Sequence, residues 1–199
     1  MKNILHVISS FNEGESYSIK LGSRIIERIK DVYPDSRVQV RNLAEGQFQH
    51  LKKEAVQAFY TPAESRTPRQ KELLQISDEV IQEIFDADIL VIGAPLYNFG
   101  ISSLLKSWID HIARAGVTFR YTGNGPEGMV NNKKVYIAMS SGGIYSSGPT
   151  QAYDFVSPYL RTILGFLGMT DVEVVRAEGT ALNTTKADAV ENALTLVTV

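Results

Sequence analysis

Residues 91–102 read VIGAPLYNFGIS. A short apolar run that halts at a proline and a turn is the mark of a strand buried on both faces. The turn itself is unusual. Turns favour Gly, Asp, Asn and Ser, which tolerate the backbone angles or bond the local backbone. Here two rings, Tyr97 and Phe99, flank Asn98 just before a helix that Ser102 or Ser103 can cap. Rings at a loop end either plug the core or wall a flat ligand, and the rest of the chain has to decide between these.

The same kind of strand recurs on either side. Strands are expected at Lys2–Ile8, Arg37–Asn42, Ile89–Gly93, Lys134–Ser140 and Val172–Arg176. The runs ILHVI, ILVIG and VYIAM are nearly continuous in apolar residues, as helix-covered strands require. Helical periods fill the gaps. Leu21, Ile25 and Ile29 recur every four residues before Pro34, and Thr67-Pro68-Arg69-Gln70 forms a capping box ahead of Leu73, Leu74, Val80, Ile81 and Ile84. A further helix bears Leu104, Leu105, Trp108 and Ile112 with Gly116 as its stop. Another carries Tyr159 to Leu167 before Gly168, and the last is expected over Thr185 to Leu196.

Strands alternating with helices predict an α/β chain: a flavodoxin-like doubly wound five-stranded parallel sheet, order 2-1-3-4-5, with helices on both faces. In that topology the ligand lies beyond the carboxyl ends of the strands, at the switch between strands 1 and 3. With no internal repeat and no low-complexity linker, residues 1–199 are expected to form one domain. Two connections are long. Leu43–Arg66 is expected to hold a short helix, and Gly116–Asn132 is expected to be a functional or mobile loop.

Composition narrows the chemistry. Lys plus Arg (20) nearly offsets Asp plus Glu (22), so there is no basic field for nucleic acid. No run approaches the ~18 apolar residues of a membrane span. The start, MKNILHVISS, alternates like a strand and lacks a small-residue cleavage site, so no signal peptide is expected and a cytoplasmic location is. Without cysteine there are no disulfides, thiolate nucleophiles or Cys-ligated metals.

Three loops then carry the function. SSFNEGESYSIK, after the first strand, has no GxGxxG and no P-loop pattern, but offers Ser9, Ser10, Ser16 and Ser18 around a helix start. Unpaired N–H groups and hydroxyls there can hold a phosphate, although a serine that only caps the helix is the plainer reading. The opening stretch lies after the third strand. SSGGIYSSGP lies after the fourth, with Gly142 and Gly143 allowing close approach of backbone to a ligand. An anion, a flat ring and ring-edge donors in that order are the shape of a flavin mononucleotide.

The runs APLYNFGISSLLKSWIDHIARAGVTFRYTGNGPEG, SSGGIYSSGPT and YLRTILGFLGMTDVEVVRAEG resemble the FMN-dependent NADH-azoreductases, also described as NADH:quinone oxidoreductases. The resemblance covers nearly the whole chain. It implies phosphate and ribityl contacts at Ser10, Ser16, Tyr17 and Ser18. It implies ring contacts at Leu96, Tyr97, Asn98 and Phe99 and at Ser140, Ser141, Gly142 and Gly143. Family members often have Arg where this chain has Ser141, a departure that bears on substrate preference. Bound FMN would take a hydride from NADH at N5 and pass electrons to a quinone or an azo compound in ping-pong fashion. No dedicated catalytic side chain is implied; N–H groups near Asn98 and Gly142 support the reduced ring. The family forms homodimers with sites at the interface, so Phe119, Tyr121 and the Phe166 region are candidate substrate contacts for the neighbouring subunit. Read from residues alone, Phe119 and Tyr121 either flank a planar acceptor or pack onto their own domain, and both readings stand.

The histidines point elsewhere. His6 lies mid-strand and reads as a satisfied core histidine, His50 falls in a connection, and His111 has no second ligand nearby. Trp108 lies on an apolar stripe and reads as core or interface. A flavodoxin-type electron carrier shares the fold, but such carriers are strongly acidic and this chain is only −2. A receiver domain needs acidic residues where Ser9-Ser10 and Ala94-Pro95 stand, and a serine hydrolase needs GxSxG. A flavodoxin-like flavin or quinone reductase without azo activity is the nearest enzymatic alternative.

Overall fold

A computed structural model describes residues 1–12, 14–45, 48–195 and 197. Five parallel strands form the main sheet: β1 (Asn3–Ile8), β2 (Arg37–Asn42), β3 (Ile89–Pro95), β6 (Lys134–Ser140) and β7 (Asp171–Ala177), in the order β2-β1-β3-β6-β7. This is the expected 2-1-3-4-5 order once a separate hairpin, β4 (Phe119–Thr122) and β5 (Gly125–Gly128), is set aside. The chain steps from β1 to β2 on one side and returns to β3 on the other. The switch point therefore lies between β1 and β3, as the sequence predicts.

The sheet is covered on both faces, and strand residues alternate between them. Leu5, Val7, Leu90, Ile92, Val135, Ile137 and Met139 join one core with α3 (Pro68–Asp86), α4 (Ser103–Ile112) and α5 (Ser157–Phe166). Ile4, Ile89, Val91, Tyr136 and Ala138 join the other with α1 (Tyr17–Val32) and α6 (Ala189–Leu194). β3 is buried along its whole length, consistent with its position in the middle of the sheet. The short α2 (Lys53–Phe59) supplies the helix expected in the 43–66 connection.

Local signals act where the sequence places them. Thr67 accepts from the Gln70 N–H while the Gln70 side chain accepts from the Thr67 N–H, a complete capping box. Ser102 rather than Ser103 caps α4, accepting from Leu105 N–H at 3.1 Å. Trp108 is fully buried in the core.

Four expectations need correcting. The 116–132 connection is a β-hairpin, held by the Arg120–Glu127 ion pair and by Thr122 Oγ donating to the Gly125 carbonyl. Gly116 does not stop α4. The helix ends at Ile112, whose carbonyl accepts from Thr118 Oγ, and Gly116 (φ 78°) instead opens the hairpin. The last helix starts at Ala189, not Thr185, because the Thr185 hydroxyl turns back onto the Gly179 carbonyl; the expected end at Leu196 lies outside the described residues. His6 is buried but not satisfied: its Nε2 has no partner among the described residues and faces Gly22 of α1, where a Cβ would lie 2.6 Å away. Burial pushes its imidazole down to about 4.

Candidate active site

The loops after β1, β3 and β6 meet at the carboxyl end of the sheet. Ser9 Oγ donates to the Gly93 carbonyl at 2.6 Å, Ser10 Oγ lies 3.4 Å from the Tyr97 hydroxyl, and Leu96 N–H donates to the Ser140 carbonyl at 2.8 Å. The three predicted loops therefore form one edge.

At the first loop, Ser16 occupies the N-cap of α1 but makes no side-chain capping bond. Its hydroxyl lies 3.0 Å from that of Ser18, which is wholly buried. The first-turn N–H groups of Tyr17, Ser18 and Ile19 consequently find no acceptor among the described residues. A helix start in this state carries positive partial charge and free donors. The plainer reading, a serine that merely caps, is not what the geometry shows.

The turn after β3 has a sharper peculiarity. Tyr97 and Gly100 exchange both backbone hydrogen bonds, each 2.9 Å, around Asn98 (φ 48°) and Phe99 (φ 68°). Two consecutive positive φ angles make a type I′ turn, whose second position normally takes glycine. Here the glycine comes one residue late, so a phenylalanine sits in the left-handed region at a cost of ~1–2 kcal/mol. Strain of this kind persists where surroundings impose it, and it gathers at ligand clamps. The Asn98 and Phe99 N–H groups have no acceptor among the described residues.

The surroundings that impose it are visible. Phe155 N–H donates to the Phe99 carbonyl at 3.1 Å, and the half-exposed Phe99 ring packs against Tyr153 (5.5 Å between centroids) and Tyr145 (6.4 Å). Behind them, Arg176 of β7 donates to Asp154 Oδ2 at 2.7 Å, while Asp154 Oδ1 accepts from the Val156 and Ser157 N–H groups. Burial raises the Asp154 carboxyl, but bonds from Ser157 and Arg176 outweigh it and hold the group below the usual carboxylate range. Glu178 accepts from Tyr145 N–H at 2.7 Å. Sequence reasoning assigned no site role to Tyr145, Asp154, Tyr153, Phe155, Arg176 or Glu178. The available signals were Tyr145 inside the quoted glycine-rich stretch and Arg176 and Glu178 inside the quoted run that ends at Gly179.

Ser140 and Ser141 are buried; Gly142 and Gly143 are half-buried. Neither glycine has a positive φ, so backbone freedom is not why they are there. A Cβ on Gly142 would meet Ala181 at 3.3 Å, and one on Gly143 the Tyr145 ring at 3.3 Å. Their carbonyls accept from Ala181 and Gly179, and separately the Gly142 and Gly143 N–H groups have no acceptor among the described residues. Ser141 Oγ donates to the Gly143 carbonyl at 2.9 Å.

Phe119, Tyr121 and Phe166 are elsewhere. The hairpin joins the end of α4 to the start of β6, and Phe166 ends α5, so all three lie toward the amino end of the sheet. Phe119 is buried with its ring centroid 4.5 Å from that of Phe166, and Tyr121 is 75% exposed. Within one chain these residues do not approach the turn at Asn98. His111 Nε2 lies 3.1 Å from the Gln49 carbonyl, remote from the three loops.

The sheet order and the three convergent loops mark a flavodoxin-like protein, and the family model described as "Flavodoxin-like fold" matches residues 2–197. Over 194 residues the chain is 49% identical to an FMN-dependent NADH:quinone oxidoreductase of Herminiimonas arsenicoxydans, covering 98% of this chain and 94% of the relative. A protein of the same name from Mesorhizobium japonicum is 45% identical over 196 residues, covering 98% and 92%. Among solved structures, an FMN-dependent NADH-azoreductase from Bacillus anthracis in complex with FMN superposes with a TM-score of 0.82 at 26% identity, covering all of both chains. An azoreductase from another B. anthracis strain reaches 0.88 at 26%, covering 98% of each. The chain belongs to the family of FMN-dependent NADH:quinone oxidoreductases.

Proposed function

We propose that this protein is an FMN-dependent NADH:quinone oxidoreductase that also cleaves aromatic azo compounds, built as a single FMN-binding domain. The observation that carries the reading is the set of backbone N–H groups left without acceptors among the described residues at three adjacent loops: Tyr17 to Ile19, Asn98 and Phe99, and Gly142 and Gly143. Such groups are expensive to leave unpaired at a partly buried site, so a ligand rich in acceptors fits them. The donors at α1 suit a phosphate, with Ser10, Ser16 and Ser18 beside it. The donors at the other two loops suit the polar edge of a flat ring laid against Leu96, Tyr97, Asn98 and Phe99 and against Ser140 and Ser141.

When bound, FMN supplies hydride acceptance from NADH and electron transfer to the quinone or azo acceptor, in two half-reactions. The chain's own part is to position and polarise. N–H groups of Asn98, Phe99, Gly142 and Gly143 aim partial positive charge at the ring edge, where they favour added electron density. Phe99, Tyr145 and Tyr153 wall one side against water. No side chain among the described residues is placed as an acid, and solvent supplies the protons.

A second copy completes the reading. Phe11, Phe99, Tyr153 and Phe155 leave much of their ring area exposed at the site edge, and Tyr121 does so at the far end of the sheet. A homodimer that brings Tyr121 and the Phe119–Phe166 pair over the neighbour's turn covers both surfaces. Adding FMN to the purified protein, then NADH without oxygen, then a quinone, tests the proposal by visible spectrum. Bound flavin that bleaches with NADH and recovers with quinone supports it. Flavin that NADH cannot bleach favours an electron carrier, and absence of flavin binding ends the reading.

A further inference from the structure

The two loops proposed to hold the ring are tied from behind to one side chain. Arg176 stands on β7 opposite Met139 of β6, one residue before the strand ends. Its Nη2 donates to Asp154 Oδ2 and to Ser157 Oγ, each at 2.7 Å, and its Nη1 lies 3.9 Å from Glu178 Oε1. On one side, Asp154 fixes the segment whose Phe155 N–H holds the Phe99 carbonyl at 3.1 Å. On the other, Glu178 accepts from the Tyr145 N–H at 2.7 Å, and the Tyr145 ring centroid lies 6.4 Å from that of Phe99. The contacts therefore close on themselves, running from Phe99 through Phe155, Asp154, Arg176, Glu178 and Tyr145 back to Phe99.

The charges in this circuit are sheltered. The Asp154, Glu178 and Arg176 side chains are 6%, 13% and 23% exposed, so salt screens them little. Among the described residues Arg176 is the only cation paired with either carboxylate. Loss of one member leaves a partly buried charge short of its partner, which makes the three groups act together. None of the three is a proposed flavin contact, so their work is done through the loops they hold.

We propose that Arg176, with Asp154 and Glu178, is a positioning residue that locks the Asn98–Phe99 turn and the Gly142–Tyr145 loop into one unit, so that their N–H groups keep a fixed spacing along the ring edge. The ring's part in this rests on the flavin reading. Donors held in place favour the reduced ring over the oxidised one, because added electron density is what they face. Loosening them lowers the reduction potential. A purely structural loss weakens both forms equally and leaves the potential where it was.

Two substitutions of unchanged shape test the proposal, Glu178→Gln and Asp154→Asn. Amide hydrogen exchange in the flavin-free protein reads the coupling first. Glu178→Gln should speed exchange at Phe155 by about fivefold or more, and Asp154→Asn should do the same at Tyr145, since coupling between two sites is reciprocal. Substitutions felt only at their own loop overturn the coupling. The potential of bound FMN is read second, in Glu178→Gln. Removing a negative charge by itself raises the potential, so a fall reports positioning and not charge. A loss of about tenfold in the preference for reduced over oxidised flavin, which is about 30 mV for a two-electron couple, supports the positioning role. An unchanged or raised potential overturns it. If the wild type binds no FMN while the two amides remain coupled, the flavin reading falls and the coupling stands.

Discussion

The N–H of Phe155 donates to the carbonyl of Phe99 at 3.1 Å, tying the strained turn after β3 to the segment that opens α5. That segment is in turn held by Asp154, which gathers Val156, Ser157 and Arg176. The Asn98–Phe99 conformation is thus imposed by a part of the chain that follows β6, more than fifty residues further along the sequence. This relationship explains why a turn with the wrong residue order is stable, and it generates the first expectations.

Asp154→Ala removes the acceptor for four donors and leaves the Arg176 guanidinium, 23% exposed, without its nearer carboxylate partner. A loss of roughly 2 kcal/mol is expected from bonds of this kind, read as a lower urea midpoint. FMN should also dissociate several-fold faster, because the clamp on Phe99 loosens. Release at the wild-type rate would show that the clamp does not reach the flavin.

At position 99 the usual order of glycine and alanine should invert. Phe99→Ala loses the ring contacts and keeps the positive φ, whereas Phe99→Gly loses the same contacts and relieves the strain. The glycine variant should be more stable by ~1 kcal/mol, since alanine tolerates the left-handed region poorly. Equal unfolding midpoints would remove strain as the explanation of this turn.

Asn98→Leu places a bulky side chain at φ 48° beside the proposed ring. Weaker FMN retention and slower turnover are expected with the far-ultraviolet circular dichroism unchanged. Wild-type flavin affinity and rate would end the assignment of this loop.

His6 sets a pH dependence. Its folded value is about 4 against an ordinary 6.5, because burial disfavours the cation. Below pH 6.5 the unfolded chain takes up a proton that the folded chain refuses until about pH 4. Its contribution is therefore complete above the ordinary value and lost as pH falls through that window. The loss is about 2 kcal/mol by pH 5 and roughly 3 kcal/mol in full. Urea unfolding at about pH 7.5 and pH 5 should show the drop in the wild type and much less of it in His6→Leu. A His6→Leu protein with the same drop would place its origin in other groups.

How far the sequence could be read depended on how local each determinant is. The Thr67–Gln70 box and the Leu21–Ile25–Ile29 stripe need only residues within a turn or two of each other, and both form in the folded chain. The alternation of Ile4, Leu5 and Val7 between two cores comes from strand geometry. The 116–132 hairpin was missed because its strands have four residues each and its closing contacts, such as Val130 N–H to the Leu167 carbonyl, are long-range. The Nε2 of His6, without a partner among the described residues, was equally hidden, since the packing of α1 at Gly22 against the ring is a tertiary contact.

Hydrophobic period and capping are local properties, so the order and type of the main elements could be read directly from the residues. With them came the switch point where Ser10, Tyr97 and Ser140 converge. Other features exist only in the folded chain. Folding put Phe99 into the left-handed region, left N–H groups of three loops without acceptors among the described residues, placed Phe119 against Phe166, and set Lys20 opposite Lys186 across a cavity. Each of these depends on which distant backbone groups and side chains meet once the sheet has closed, and no window of neighbouring residues contains that information.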